Sequence, residues 1–440
     1  MKVAMVMPMS PESAIADVMT QAIPDLSARW EIEVWCPAEA SYRLCPVPAR
    51  PFIEPTKDVL TALARYDLVV YVLGDSPRHS RILPLALALP GLTVLHDAAL
   101  TNLVRRTAVE TGTLDALVNR VAARSGADRS ETLRTPEGAG GPDAWLRFCE
   151  AVPLDDVAIE GSLGVVVHSK WHARRVDGLT LGDVTVAPLP VPSARLGFDE
   201  NGSEASARLL ATLPNDAILV VTVGEVNANR QIDTLLRAIA DDDVLTRRVH
   251  LWAVGPAEDQ ISKDLLGLAK RLGLDGRFAA TGRVSDTLLH EILARADISA
   301  ALRDPVLEGQ SASALTQLLS GTPVVVYDHA HYSELPDDVV IKVDPHDARA
   351  GVRQALRLLV DDEIERTRRG ERARDYVLQT RSGSAYASAL LKAGELALAA
   401  RPFSHLSIDL AARLSRLDLH HEQVVVDAVT DLAFDLFDLA

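Results

Sequence analysis

At 440 residues the chain is too long for one ordinary hydrophobic core and about right for two or three domains. Its 48% hydrophobic and 24% charged residues argue against long-range disorder, and a formal net charge of −16 leaves no surplus of positive surface for nucleic acid or anionic lipid. Three cysteines, Cys36, Cys45 and Cys149, fit no zinc spacing and leave one unpaired in any disulfide scheme, so reduced thiols in a cytoplasmic setting are expected.

The first residues, Met1 to Pro8, are too short an apolar run for a signal peptide, and no later run approaches the ~18 apolar residues of a membrane span. Basic residues are 38 Arg against seven Lys, a composition that suggests a GC-rich bacterial source. Together these features describe a cytoplasmic enzyme.

In chain order, short apolar runs alternate with longer helical patterns. Val3–Met7 and Ile32–Trp35 read as buried strands, with a helix over about Ile15–Ala28 between them. Leu68–Leu73, Leu92–Leu95 and Val165–His168 repeat the pattern. Each run is continuous rather than alternating, as parallel strands covered on both faces require. Such alternation of strand and helix predicts an open, doubly wound α/β sheet over residues 1–186. Within it, about 103–150 is helical, broken by the loop Thr135–Pro142, and reads as an insertion on the first domain.

Three prolines in Ala187–Ser193 predict a stiff linker over 187–205. The pattern then restarts, predicting a second Rossmann-like domain over 206–381. Its strands are expected at Ile218–Val223, Val249–Val254, Arg277–Ala280, Ile298–Ala301, Pro323–Tyr327 and Val339–Val343. Helices are expected around Asp233–Ala240, Gln260–Leu272, Asp286–Ala294 and Ala312–Ser320. Two such halves would face each other across a cleft at the carboxyl ends of their strands, where polar ligands of α/β proteins bind. Residues 382–440 add helices: one over Ser382–Leu398, expected to cross back to the first domain, and two within Ser407–Leu439. They suit a packed cap or a homo-oligomer interface, and their acidic face disfavours an anionic membrane surface.

The common nucleotide and hydrolase motifs are absent: there is no GxxxxGK[ST], no GxGxxG after the first strand, no HExxH and no GxSxG. His420-His421 is an adjacent pair on a predicted helix, so its side chains diverge by about 100° and suit a surface better than a metal. No metal site is expected.

Four segments end predicted strands where a ligand would meet them: Gly74–His79, His96-Asp97, Gly224–Arg230 and Arg303–Ser313. Taken singly, each has a structural explanation. A histidine ending a strand satisfies itself on backbone, and Ser311 or Ser313 before an apolar run is a helix N-cap. A helix N-terminus also favours anions through its unpaired N–H groups and dipole. Together the segments gather a cation, a helix N-terminus, a carboxylate and an imidazole.

These segments resemble the retaining glycosyltransferases of the GT-B fold, family 4 type, over about residues 1–395. The clearest stretch is LRDPVLEGQSASALTQLLSGTPVVVYDHAHYSELPDD (302–338), similar to the donor segment of a bacterial subgroup with a GETSxS-like sequence. In order along the chain, SPESAIADVMTQAIPDL (10–26), LGDSPRHSRILPLALALPGLTVLHDAAL (73–100), VVVHSKWHARRV (165–176) and VGEVNANRQIDTLLRAIAD (223–241) match as well.

The resemblance implies a nucleotide-sugar donor as substrate, no separate cofactor, and specific roles. Arg230 would bind the donor diphosphate and Glu308, the first glutamate of an E-x7-E pattern, the sugar hydroxyls. Gly309, Gln310, Ser311, Ala312 and Ser313 would line sugar and phosphate, with Gly224 and Asn229 beside them. Arg283 and Val284 would touch the base, and Thr316 stands at the ribose position. His96 would lie near the reacting centre, with Ser13, Ala14, Gly74, Asp75 and Asp97 on the acceptor side.

Three departures stand out. Thr316 is not a carboxylate, Glu225 replaces the first cation of an Arg/Lys pair, and Ala14 replaces a glycine in the first-domain loop. A carboxylate beside a diphosphate repels it unless paired or turned away. Two functions therefore follow from the resemblance. One is metal-independent, retaining transfer of a sugar to an acceptor hydroxyl or similar group. The other is a glycosyltransferase-like pseudoenzyme that binds or scaffolds.

Overall fold

The computed structural model describes residues 1–135, 140–180, 182–191, 210–211, 213–214, 216–417, 424–425 and 428. The described residues form two compact units. The first takes in Met1–Arg134, Val152–Pro188 and the residues from Ser384 on, and the second Thr135–Ala151 and Leu189–Gly383.

The first unit is built on seven parallel strands: β1 (Lys2–Val6), β2 (Glu31–Pro37), β3 (Ala49–Phe52), β4 (Leu68–Leu73), β5 (Leu92–Leu95), β6 (Gly164–Val167) and β7 (Asp183–Val186). Their order is β3-β2-β1-β4-β5-β6-β7. The second unit holds six: β8 (Ile218–Val223), β9 (Val249–Val254), β10 (Phe278–Gly282), β11 (Ile298–Ala301), β12 (Val324–Tyr327) and β13 (Val340–Val343), in the order β10-β9-β8-β11-β12-β13. Each sheet reverses its strand order beside its first strand. Val3 pairs with both Ile32 and Leu68, and Val220 with both Leu251 and Ile298. Loops leaving β1 and β4, or β8 and β11, therefore diverge and open a crevice at the carboxyl end of each sheet.

Hydrophobic runs dictate this layering. Every residue of β4, β8 and β9 is buried. In β8, Ile218 and Val220 pack with Leu235 and Leu236 of the helix Ile232–Ala240 and with Leu356 and Leu359 of the helix Ala348–Asp361. The alternate residues Leu219, Val221 and Val223 face Ile292 and Leu293 of the helix Asp286–Arg295. Two-sided cover of this kind stabilises by roughly 1.5–3 kcal/mol per fully buried aliphatic side chain.

The expected central strands fall within a residue or two of their observed limits. Two strands were not foreseen. β3 exposes three of its four residues and carries Pro51, and β7 starts with the exposed Asp183. Both are edge strands, which lack the two-sided cover that produces a continuous apolar run. The helices Ala348–Asp361 and Glu363–Thr380 were likewise not foreseen.

The helical stretch after β5 comprises Thr101–Glu110, Leu114–Ser125, Ala127–Glu131 and Pro142–Ala151. Its last helix departs from the expectation of one insertion on the first domain, because it belongs to the second unit. There Arg147 makes two hydrogen bonds to the Asp304 carboxylate, at 2.8 and 2.6 Å. Trp145 and Leu146 share the wall of a cavity of about 850 Å³ with Val226, Ile232 and Leu265.

One helix, Gly383–Arg416, replaces the expected break near residue 398 and passes through Pro402. It packs on the first unit, where the Tyr386 hydroxyl meets Met19 Sδ at 3.4 Å and a Cβ at Gly394 would come within 2.6 Å of the Trp30 ring. His420-His421 and residues 192–205 of the linker lie outside the described residues, as do most positions of the last two expected helices. None of the three cysteines is joined in a disulfide. Among the described residues no helix is long and apolar enough to cross a membrane, and no group of three or more His, Cys, Asp or Glu could hold a metal ion.

Candidate functional site

The expected site residues fall into two clusters, one in each unit. In the second unit, β8 ends at Gly224, whose φ of +119° suits glycine. Gly255, at the end of β9, lies against the Gly224 carbonyl, and Gly224 N donates to Val254 O at 2.8 Å. The chain then turns through Ala228–Arg230 in a short 3-10 helix and folds Arg230 back over Gly224. A Cβ at Gly224 would overlap the Arg230 guanidinium.

Arg230 is 5% exposed. Its Nη1 donates to Val223 O and, at 3.3 Å, to Ser313 Oγ, while Nε donates to the Glu225 carbonyl at 3.2 Å. Burial, with Arg303 alongside, pulls its pKa down to about 9. Glu225 is exposed and is among the residues lining the cavity beside Trp145, and Arg230 bonds its backbone carbonyl.

Strand β11 delivers Arg303 and Glu308. The Arg303 Nε stands 3.2 Å from Glu308 Oε1, and its Nη1 donates to Asn229 Oδ1 at 3.0 Å. Tyr332 donates its hydroxyl to the same Glu308 oxygen at 3.3 Å, and His331 Nε2 lies 3.9 Å away. Both aromatic residues come from the 3-10 turn Ala330–Glu334 after β12, whose first residue has φ +50°. Burial opposes ionisation of Glu308, but Arg303, then His331 and Arg230, hold its pKa well below the usual carboxylate range. Glu308 is therefore ionised in a pocket that also contains two guanidinium groups.

The helix Ala312–Leu319 opens beside them. Ser311 is its N-cap, accepting from Ala314 N at 3.3 Å, and Ser311 and Ser313 hydroxyls are 3.2 Å apart. Several expected donor residues have other engagements. Thr316 Oγ1 donates back to Ala312 O at 3.0 Å, and Gln310 Oε1 accepts from Leu189 N at 2.8 Å. Asn229 is spent between Arg303 and the Pro305 carbonyl. Gly309 is buried and Ala312 half-buried. At the end of β10, Arg283 is exposed, whereas Val284 packs against the core around Val223 and Trp252.

In the first unit, His96 leaves β5 at 6% exposure, and its Nε2 is buried without a hydrogen-bond partner. Its ring stands 4.4 Å from that of His168, whose Nδ1 donates to Ala187 O at 2.8 Å. Burial, followed by His168 and His79, pushes the His96 pKa well below the ordinary histidine value, so the imidazole is neutral. Gly74 sits where a Cβ would come within 3.0 Å of Asp97 Oδ2 and 3.3 Å of His79 Nε2.

Asp97 Oδ2 accepts from Asp75 N at 2.6 Å. The Asp75 carboxylate in turn accepts from Asn102 Nδ2 at 2.7 Å and Leu103 N at 2.8 Å, capping the helix Thr101–Glu110. Burial raises its pKa to about 6 against those bonds. Ser13 is the N-cap of the helix Ala14–Leu26, accepting from Ala16 N at 3.1 Å, and Ala14 is exposed at its first position. The sequence thus brings Gly74, Asp75, Asp97 and His96 to one place, while Ser13 and Asp75 have capping roles there.

Arg303 heads one of the four strand-end segments but was given no role of its own, and His331 and Tyr332 were not singled out, although all three lie inside the stretch 302–338. Arg303 carried a signal in its position, two residues beyond the last residue of β11, at the carboxyl edge where ligands bind. His331 and Tyr332 reach Glu308 from a different strand's loop, a proximity that no local pattern encodes.

Residues 217–361, which carry this second cluster, match the family model described as glycosyl transferases group 1. Solved structures align over both units. Anabaena HepE in complex with UDP and glucose is 13% identical, covering 89% of this chain and 98% of its own with a TM-score of 0.59. WaaG, a glycosyltransferase involved in lipopolysaccharide biosynthesis, is 15% identical, covering 88% and 98% with a TM-score of 0.58. Sucrose-phosphate synthase from Thermosynechococcus elongatus is 16% identical, covering 89% and 97% with a TM-score of 0.58. The chain has the GT-B fold. At these identities the likeness concerns architecture, and no curated protein matches the chain. Within that fold, Arg230, Glu308 and the helix Ala312–Leu319 belong to the unit that matches the group 1 domain.

Proposed function

We propose that the protein is a retaining, hexosyltransferase-like glycosyltransferase of family 4 type. It would move a sugar from a nucleotide-diphosphate sugar to a hydroxyl or similar group of an acceptor, in the bacterial cytoplasm, without a metal or separate cofactor. The observation that carries this reading is the cluster of buried Arg230 and ionised, half-buried Glu308 at the start of the helix Ala312–Leu319. A guanidinium and a helix N-terminus neutralise a diphosphate. A carboxylate beside them accepts hydrogen bonds from sugar hydroxyls. The match of residues 217–361 to a glycosyltransferase domain supports the same reading, as does HepE, whose structure holds UDP and glucose.

In the proposed step the bond from the sugar's anomeric carbon to the diphosphate oxygen breaks, and the acceptor oxygen bonds to that carbon on the same face. The acceptor proton passes to the departing phosphate oxygen. Arg230 stabilises the negative charge that builds on the diphosphate, a contribution of about 3–4 kcal/mol for one well-placed donor. Neutral His96 is suited to hydrogen-bonding a substrate hydroxyl in the first unit.

The test is a thermal-shift panel of UDP, GDP, dTDP, CDP and ADP, each alone and as a sugar conjugate, followed by assay for nucleoside diphosphate release. One base that shifts the midpoint, with slow release from its sugar conjugate, supports transfer. The exposed Glu225 near Arg230, together with Thr316 turned back on its own helix, favours the pseudoenzyme as the second reading. Tight nucleotide-sugar binding with no release, even with a broad acceptor set, would select it.

A further inference from the structure

The donor cluster holds one more cation than carboxylate. Arg230 and Arg303 both act on Glu308, and Arg303 is only 9% exposed. Arg303 engages two side chains at once: its Nη1 donates to Asn229 Oδ1 at 3.0 Å, and its Nε makes an ion-pair contact, without hydrogen-bond alignment, with Glu308 Oε1 at 3.2 Å. Asn229 belongs to the same short helix as Arg230, and its carbonyl accepts from Asp304 N at 3.0 Å. The Arg303 carbonyl in turn accepts from His329 Nε2 at 2.6 Å. One guanidinium therefore joins the loop after β8 to the loop after β11, and fixes which oxygen of Glu308 is engaged.

We propose that Arg303 is a positioning residue for the donor sugar. It holds Glu308 ionised and aimed, with Oε1 set against the Arg303 charge and hydrogen-bonded by Tyr332, so that Oε2 is the oxygen offered to a sugar hydroxyl. This inference rests on the functional reading above and deepens it. The physical warrant is a division of labour. A carboxylate buried without a cation beside it takes up a proton and loses acceptor capacity. Arg230 cannot serve Glu308 alone, because its guanidinium is already committed to Val223 O, the Glu225 carbonyl and Ser313. Arg303 supplies the nearer charge, and its effect on Glu308 exceeds that of Arg230. The planar fork of arginine reaches Glu308 and Asn229 together, which a lysine ammonium does not do with the same geometry.

The assignment makes a claim about sugar and nucleotide separately. Loss of Arg303 should weaken recognition of the sugar while leaving recognition of the nucleoside diphosphate largely intact. The experiment measures dissociation constants by calorimetry for UDP, GDP, dTDP, CDP and ADP and for their glucose conjugates. Wild type, Arg303→Lys, Arg303→Gln, Glu308→Gln and the double variant Arg303→Gln/Glu308→Gln are compared. For the base that binds, wild type should prefer the glucose conjugate over the bare diphosphate.

Arg303→Gln should erase most of that preference and change diphosphate affinity by less than about threefold. Arg303→Lys should recover part of it. Glu308→Gln should erase it to the same extent, and the double variant should lose no more than either single one, as expected of residues acting as a unit. Additive losses, or an intact sugar preference in Arg303→Gln, overturn the assignment. A variant that fails to melt cooperatively is replaced in the comparison by Arg303→Lys, which keeps charge and most of the volume. An unchanged sugar preference in Arg303→Lys, alongside its loss in Glu308→Gln, also overturns the role of the fork. No binding of any nucleotide by folded wild type overturns the functional reading itself, and the inference with it.

Discussion

The guanidinium of Arg230 occupies the space that a Cβ would take on Gly224, six residues earlier in the chain. Gly224 also has φ +119°, where L side chains are strained. Gly224→Ala should therefore displace Arg230 as well as strain the loop, costing on the order of 1–3 kcal/mol of stability. Nucleotide affinity should fall about as far as in Arg230→Ala. Calorimetry paired with thermal melts checks this, and a variant that melts lower while binding normally would show that Arg230 has another resting place.

Arg230 has two jobs that a single substitution removes together. It donates to Val223 O, the Glu225 carbonyl and Ser313, so Arg230→Ala leaves buried acceptors unpaired at a cost of roughly 1–3 kcal/mol. If it also stabilises the leaving diphosphate, turnover should drop by about a hundredfold or more, beyond what the stability loss explains at a temperature where the variant is folded. Turnover that falls only in proportion to the folded fraction would restrict Arg230 to holding the loop.

Much of this site was legible in the sequence, for a physical reason. Strands covered on both faces must be continuous apolar runs, so β4, β8 and β11 could be bounded closely, and with them the loops that carry Asp75, Arg230 and Glu308. The edge strands β3 and β7 lack that cover and left no such run. Burial and partnership were not legible. Nothing local says that Gln310 turns to Leu189, that Thr316 bonds Ala312, or that Tyr332 reaches Glu308 from a loop twenty-four residues on. From the sequence, the Glu225 carboxylate would repel a diphosphate unless paired or turned away, and nothing local says that Arg230 bonds the Glu225 backbone carbonyl. Helix Pro142–Ala151 looked like part of a first-domain insertion because its tie to Asp304 spans 157 residues of chain.

Thr316 gives a prediction of small effect. Its hydroxyl donates to Ala312 O within its own helix, the local bonding typical of threonine at such positions. Thr316→Ala should therefore leave nucleotide affinity within about twofold, less than 0.5 kcal/mol. Titration of the nucleotide that stabilises wild type checks this. A tenfold loss would mean that the hydroxyl leaves Ala312 to contact the ligand.

The first unit should lose stability in mild acid. His79 and His168 are buried with pKa values pushed down to about 4, and His96 lies well below its ordinary 6.5. Burial comes first among the causes for each, and in the unfolded chain all three titrate near 6.5. The unfolded state thus binds more protons between about pH 6.5 and 4, so their stabilisation is complete above 6.5 and is lost as pH falls through that window. Asp75 and Asp155 act in the opposite sense, because burial raises both carboxyl pKa values, that of Asp75 from 3.8 to about 6, and their contributions are lost as pH rises. Three imidazoles outweigh two carboxyls, and the midpoint should fall by roughly 5–10 °C between pH 7 and pH 5. His168→Phe keeps a ring of similar size beside His96 and removes one of the three titrations, so it should flatten the slope by about a third. A slope unchanged in His168→Phe would assign the acid sensitivity to groups elsewhere in the chain.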